Sequence, residues 1–269
     1  MVYFDSHVHT ESSEDAEHSI TYIAENAVEK GLIGFAVTDH CDMEQYKKQQ
    51  FYKKITQSVF HALMSKEIFA DRLKIEVGIE LGQPLVDLGL VERILSIGRF
   101  DFLLCALHAV DGQEDFYFMD LSQPDVDVDG LLCGYYDELA RMAEWGRFDA
   151  MAHITYPFRY INGKYKLGVD MEAYAPQIDE VLKLLAEKDL ALEINTAGLR
   201  QPIGVTSPPL QLVKRFRALG GKLVTVGSDA HSAFDVGAGM EQGVAVAKAA
   251  GFREYYYFDN RRPVALSID

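Results

Sequence analysis

The sequence predicts an α/β protein in one domain, a closed or nearly closed barrel of parallel strands wrapped by helices. Three observations predict it. Short apolar runs alternate with longer amphipathic segments through seven successive β-then-α units. No Pro/Ser-rich linker or change of composition divides residues 1–269. The residues that carry chemistry fall at the C-terminal ends of the expected strands, the face on which such a barrel builds its active site. An open doubly wound sheet fits less well, because no GxGxxG follows the first strand and no GxxxxGK(S/T) occurs.

The elements read as follows. Val2 to Ser6 is a first strand, and Ser19 to Lys30 a helix with Ile20, Ile23, Ala24, Ala27 and Val28 on one face, stopped by Gly31. Ile33 to Thr38 is a second strand, followed by a long, mainly helical excursion from Gln45 to Ala70. Lys74 to Leu81 is a third strand and Pro84 to Ile97 a helix. Phe102 to Leu107 is a fourth strand, leading through an irregular acidic loop to a helix from about Asp129 to Glu144. Ala150 to Ile154 is a fifth strand, Met171 to Lys188 a helix, and Ala191 to Asn195 a sixth strand. Pro208 to Leu219 is a helix, Gly220-Gly221 a turn, Lys222 to Val226 a seventh strand, and Val236 to Ala250 a last helix. Glu254 to Asp259 is a short extended tail.

Composition narrows the partners. The chain is 48% hydrophobic and 25% charged, so its core needs neither disulfides nor structural zinc. A net charge of −15 disfavours nucleic acid, which is bound by clustered Lys and Arg. Cys41, Cys105 and Cys133 form no CxxC pair, and an odd count makes a poor disulfide framework, so a reducing compartment is expected. The N-terminus carries no basic region followed by an apolar run, and no stretch of about 18 apolar residues occurs. The expectation is a cytoplasmic protein with no membrane partner. Oligomeric state is left open.

Six of the eight histidines sort to strand ends. His7 and His9 follow the first strand, His40 the second, His108 ends the fourth, His153 the fifth, and His231 follows the seventh in Gly227-Ser228-Asp229-Ala230-His231. The third and sixth strands end in Glu80 and Asn195. His7-x-His9 alone is weak, since residues i and i+2 of many surface strands share a face. The joint pattern in register with seven strands is what points to metal. Neutral imidazole and carboxylate are ligands for Zn, Mn and Fe. Six histidines with Glu80, Asp229 and Asp15 exceed the needs of one tetrahedral ion and suit two or three divalent ions bridged by carboxylates. His18 and His61 sit on helices and read as capping or surface residues. Glu76 shares a face with Glu80 and reads as an ion-pair member or as lying at the non-catalytic end.

These strings resemble the motifs of the PHP (polymerase and histidinol phosphatase) superfamily. Asp5-Ser-His-Val-His-Thr10 is similar to its first motif, Thr38-Asp39-His40 to the second, Gly78-Ile79-Glu80 to the third-strand motif and Gly227-Ser228-Asp229-Ala230-His231 to the last. Glu193-Ile-Asn-Thr-Ala-Gly-Leu-Arg200 and Gly220 to His231 look like the late motifs of the bacterial histidinol-phosphate phosphatases. The resemblance implies a distorted (β/α)7, TIM-barrel-like fold and a trinuclear centre. By it, one ion takes His7, His9, Glu80 and Asp229, a second Glu80, His108 and His153, and a third Asp15, His40 and His231. Glu14 is an alternative to Asp15 in the loop Ser12-Ser-Glu-Asp15. Relatives often carry Ser-Val-His where this chain has Ala106-Leu107-His108, which bears on substrate more than on chemistry.

The implied activity is hydrolysis of a small phosphate ester by a metal-activated hydroxide, with L-histidinol phosphate as the first-choice substrate. Arg159 and Arg200, in the loops after strands five and six, match phosphate geometry as clamps. The general acid is left open among Asp229, His231 and a metal-bound water. Glu114 to Phe118 and Tyr156 to Tyr160 offer carboxylates and rings for a cationic substrate. The competing readings are another phosphate ester (a nucleotide, sugar phosphate or phosphotyrosine) or an amidohydrolase-type C–N hydrolase. The latter commonly needs a carboxylated lysine after strand four, where this chain has Leu107-His108.

Overall fold

The computed structural model describes residues 2–268. The strands and helices run β1 (Phe4–Val8), α1 (Ile20–Glu29), β2 (Gly34–Val37), β3 (His40–Asp42), α2 (Tyr46–Gln49), α3 (Phe51–Ile68), β4 (Lys74–Gly82), α4 (Leu88–Leu95), β5 (Phe102–Ala106), α5 (Val128–Trp145), β6 (Ala150–Met151), α6 (Tyr156–Phe158), α7 (Ala175–Glu187), β7 (Ala191–Asn195), α8 (Leu210–Ala218), β8 (Val224–Gly227), α9 (Met240–Ala249), β9 (Glu254–Asp259) and β10 (Arg262–Ser267).

Seven strands pair in parallel in the order β1-β2-β4-β5-β6-β7-β8. The two ends of this sheet meet. Val8 bridges Ala230, Asp229 N–H donates to the His7 carbonyl at 2.8 Å, and His9 N–H donates to the Ala230 carbonyl at 2.9 Å. The result is the expected (β/α)7 barrel, nearly closed. β2, β5, β7 and β8 are buried along their whole length, as strands covered on both faces must be. Their outward residues, such as Val37, Leu103, Ile194 and Val226, join the helix-facing core.

The barrel interior has a lower and an upper half. Low down, Phe4, Ala36, Phe102, Leu104, Ala150 and Ala191 pack with Tyr257 and Phe258. The last two come from β9, which pairs antiparallel with β10 through a two-residue turn in which Asn260 and Arg261 have φ of +50° and +63°. Phe4 stacks on Tyr257 with centroids 4.3 Å apart, so the hairpin plugs the N-terminal mouth. The extended tail expected at Glu254 to Asp259 is therefore one arm of a hairpin. Its turn lacks the glycine that usually marks one.

Other boundaries also differ from expectation, and some of them shape the site. The first strand lies two residues later and contains His7. The second is interrupted at Thr38-Asp39 and resumes as β3, opening on His40 and also pairing with β4. The fifth is two residues long, because His153 turns to φ +20° and its N–H donates to Glu193 Oε2 at 2.9 Å instead of continuing the ladder. The Gln45 to Ala70 excursion breaks at Gln50, which takes φ +55° between α2 and α3. Glu76 lies low in the barrel, held 2.6 Å from Lys66 and 3.1 Å from Lys74, so it is an ion-pair member at the non-catalytic end.

Candidate metal centre

Strand alternation aims one column of side chains inward and upward. On β4, Glu76, Gly78 and Glu80 share the inner face, and on β7, Ala191, Glu193 and Asn195 do. β1 needs a device, since Phe4 and His7 have opposite parity yet both point inward. Its register with β2 shifts between Asp5 and Val8. This irregularity re-aims the strand, as bulges near active sites do. Asp5 holds it, accepting from Ser228 Oγ and from the N–H groups of Ser228 and Gly237 at 2.8 Å each.

The upper half of the barrel is polar and fully ligand-like. Glu80 is completely buried at its centre. Its Oε1 lies 2.9 Å from His153 Nε2 and 3.4 Å from both His7 Nε2 and His108 Nε2. Its Oε2 lies 2.6 Å from His40 Nδ1 and 3.7 Å from His9 Nε2. Asp229 Oδ1 stands 3.4 Å from His9 Nε2 and 3.6 Å from both His7 Nε2 and His231 Nδ1. At the rim, Asp15 reaches His231 Nε2 at 3.1 Å and His40 Nε2 at 3.7 Å. Glu14 turns away to pair with Lys54 at 2.8 Å, so Asp15 is the loop carboxylate at the histidines. All nine residues expected as ligands thus come together.

The electrostatics are those of a cation-binding pocket. Burial opposes charge on Glu80, but His40, His7 and His108 hold its carboxyl well below the ordinary range. Asp229 is held low in the same way, against burial, by His7, His9 and Arg159. Burial also opposes charge on His7, His40 and His108, yet the carboxylates around them raise all three well above a free imidazole. His9 goes the other way, lowered by burial and by His231 and His40. The carboxylates demand positive charge here, and too many rings crowd together for protons to supply it comfortably.

Two observations show that the donor set fits metal. Ring nitrogens face each other, His7 Nε2 and His9 Nε2 at 3.0 Å and His40 Nε2 and His231 Nε2 at 3.4 Å. Donors held at 2.0–2.2 Å around a tetrahedral ion stand roughly 3.4 Å apart. His40 Nδ1 and Glu80 Oε2 are also buried, 2.6 Å apart but not in hydrogen-bond geometry, and neither has another partner. Buried polar atoms are seldom left so.

A supporting set was less visible in the sequence. Glu193 Oε1 takes His7 Nδ1 at 2.6 Å and fixes the ring so that Nε2 faces the cluster. Its other oxygen accepts from Asn195 Nδ2 at 3.1 Å as well as from His153 N–H. Gly227 permits this approach, since a Cβ there would stand 2.4 Å from His7 Cβ and 2.7 Å from Glu193 Oε1. Asp42 likewise takes His108 Nδ1 at 2.9 Å. Glu193 shares the inner face of β7 with Asn195, and Asp42 lies two residues past His40, so period-two alternation was the available signal. Glu193→Gln is expected to weaken metal affinity about 10- to 100-fold with the fold retained, measured by competition with a chromogenic chelator.

Above the cluster opens a cleft of about 480 Å³. Arg159 begins a π-helical turn, Arg159–Lys164, and is buried, donating to Asp229 Oδ2 at 3.1 Å and to Asn195 Oδ1 at 2.8 Å. Arg200 sits on the wall, donating to the Ser228 carbonyl at 2.8 Å with Asp235 at 3.8 Å. Tyr156, Tyr160, Tyr117 and Asp115 also line it, with the Arg159 guanidinium 5.4 Å from the Tyr156 ring centroid and the Tyr156 hydroxyl donating to Asp115 at 2.8 Å. Asp229 takes φ +55°, strain of the kind that collects at functional sites.

Known proteins share this arrangement of chain. The PHP domain family model matches residues 5–197. A probable histidinol-phosphatase of Thermotoga maritima is 28% identical over 98% of this chain and 99% of its own. A histidinol-phosphatase of Lactococcus lactis is 26% identical over 97% of this chain and 96% of its own. The crystal structure of histidinol phosphate phosphatase from L. lactis, complexed with Zn, L-histidinol and phosphate, superposes with a TM-score of 0.77 over 97% of this chain and 98% of that one at 22% identity. A putative histidinol phosphatase from Listeria monocytogenes also gives 0.77, at 19% identity, covering 89% of this chain and 99% of that one. These two establish likeness of fold.

Proposed function

The chain belongs to the PHP domain family, and from that premise we propose that it is a metal-dependent phosphomonoesterase that converts L-histidinol phosphate to L-histidinol and phosphate in cytoplasmic histidine biosynthesis. The observation that carries the reading is the convergence of six histidine rings, Glu80, Asp15 and Asp229 beneath one cleft walled by two arginines. The names of relatives aligned along nearly the whole chain support the substrate. The barrel works as one domain, since its site draws on residues from His7 to His231.

His7, His9, Glu80 and Asp229 would hold one ion, Glu80, His108 and His153 a second, and Asp15, His40 and His231 a third. Nitrogen and oxygen ligation of this kind accepts Zn, Mn or Fe. When bound, such ions supply Lewis acidity that neutralises phosphoryl charge and lowers the pKa of water. The chain's own groups do the rest. Asp229, held ionised against burial by His7, His9 and Arg159, is suited to holding an ion and neither to giving nor to taking a proton. His231 has Nε2 committed to Asp15 and His40 and Nδ1 facing the Asp229 carbonyl at 3.1 Å, which suits it to holding an ion and not to donating a proton. Arg159 fixes Asp229 from within, and Arg200, at the wall, clamps phosphate oxygens. Asp115 and the tyrosines facing it receive the cationic amine and imidazole of histidinol. No helix among the described residues is long and apolar enough to cross a membrane. The acidic surface keeps nucleic acid out of the substrate class.

The test is phosphate release from L-histidinol phosphate against para-nitrophenyl phosphate, nucleotides and sugar phosphates. A strong preference for histidinol phosphate is expected. Arg200→Ala should lower kcat/KM about 100-fold, as loss of a charge-assisted phosphate contact does. Turnover of the generic ester without histidinol phosphate would discard the substrate and keep the chemistry. No turnover of any ester by metal-loaded protein would overturn both.

A further inference from the structure

Helix α3 has two apolar faces. The inner one, with Phe51, Ile55, Val59 and Ala62, packs against the barrel. The outer one presents Tyr52, Phe60, Leu63, Met64 and Ile68, between 48% and 59% exposed. Five of the fifteen large exposed hydrophobics among the described residues stand on this one helix. A surface helix normally turns polar residues to that side, and an apolar patch of this kind marks an interaction site.

The outer face is symmetric about Phe60. Tyr52 and Ile68 lie eight residues to either side, Thr56 and Met64 four, Gln57 and Leu63 three, and Lys53 and Glu67 seven. All nine are exposed. We propose that this face pairs with α3 of a second copy of the chain, antiparallel about a two-fold axis through Phe60. That register places Phe60 on Phe60 at the axis and Thr56 beside Met64 of the second copy, with Tyr52 and Ile68 on the flanks of the contact. It also sets Lys53 against Glu67 of the second copy, twice per dimer. A two-fold interface requires such self-complementarity, with residue i meeting j while j meets i.

Charge decides between a second copy and an anionic surface. The face itself carries one cation and one anion. The other lysines of the helix are engaged elsewhere, Lys54 with Glu14 at 2.8 Å and Lys66 with Glu76 and Asp101 at 2.6 and 2.7 Å. Lys47 and Lys48 of α2 are exposed beside one end of the strip, fewer cations than the rim of a membrane-binding face carries. The strip from Tyr52 to Ile68 is about 24 Å long. Alone it covers less than the roughly 800 Å² per partner of a standard interface, so the dimer should dissociate on dilution.

Sedimentation equilibrium of the full chain over two decades of concentration tests this. A monomer–dimer equilibrium is expected. Phe60→Glu, which sets two carboxylates on the axis, should leave a monomer with unchanged thermal midpoint and unchanged turnover. Lys53→Glu or Glu67→Lys alone should weaken the dimer about tenfold, because the two-fold repeats each like-charge pair. The two changes combined should restore it. A wild type that stays monomeric throughout, a Phe60→Glu variant that dimerises as before, or a double swap that fails to restore would each overturn the pairing.

Discussion

Glu80→Gln is expected to remove most of the activity while leaving the barrel folded. Glu80 is the carboxylate that five histidine rings approach within 3.7 Å. Glutamine keeps its volume and one oxygen, so packing at the strand end survives. The negative charge that chiefly raises His40, and that adds to Glu193 and Asp229 at His7 and to Asp42 at His108, disappears. A bridging ligand is lost from the proposed first and second ions together. Lewis-acid stabilisation is worth several kcal/mol, and each 1.4 kcal/mol is tenfold, so kcat/KM should fall by at least about 1,000-fold. Metal content after dialysis, measured by elemental analysis, should drop below that of the wild type. A variant with full metal and a loss smaller than tenfold would show that Glu80 is a structural carboxylate and not the hub of the centre.

That Glu80 was legible at all follows from period-two geometry. A carboxylate at the C-terminal end of a buried strand has nowhere to point but into the barrel mouth. The same argument located His108 and Asn195 and exposed Glu76 as the low member of its column. It succeeded less well where the backbone departs from a regular strand. The register shift in β1 changes which parity faces inward, and nothing local in Asp5-Ser-His-Val-His-Thr10 announces it. The short β6 ends because His153 turns its backbone toward Glu193, a partner forty residues away. The β9–β10 hairpin has a tight turn without glycine, and β10 is mostly exposed, so neither turn residue nor buried alternation marked it. Supporting carboxylates such as Glu193 and Asp42 have the right parity, but which histidine each one holds is visible only once two elements are brought side by side. Each miss therefore falls where tertiary contact overrides a local rule.

Stripping the metal should change both activity and the pH dependence of stability, and the sign of the second is specific. Chelation is expected to reduce turnover to background, with recovery on adding back Zn, Mn or Fe. In the chelated protein, His7, His40 and His108 have raised pKa values. Their stabilising contribution is complete below the unfolded value of about 6.5 and is lost as pH rises through the raised values. Glu80 and Asp229 are depressed, so their contribution is present above about pH 4 and is lost only as pH falls further. His9 and His153 are lowered, so they weaken the fold only as pH falls below the unfolded value. Across the range above about pH 6.5 the raised rings alone among these groups titrate in the folded state. Stability of the metal-free protein should therefore decline as pH rises through that range, by about 1.4 kcal/mol for each unit a ring's pKa is raised, or about 3–6 °C in Tm. Metal-bound protein should show no such decline, because the rings must already be neutral to ligate and proton competition is relieved as pH rises. Lysines titrate in both forms and cancel in the comparison. Parallel thermal scans with chelator and with metal decide it. Equal slopes in the two forms would mean that the rings exchange no proton for metal, and that the cluster holds itself together by its own charges.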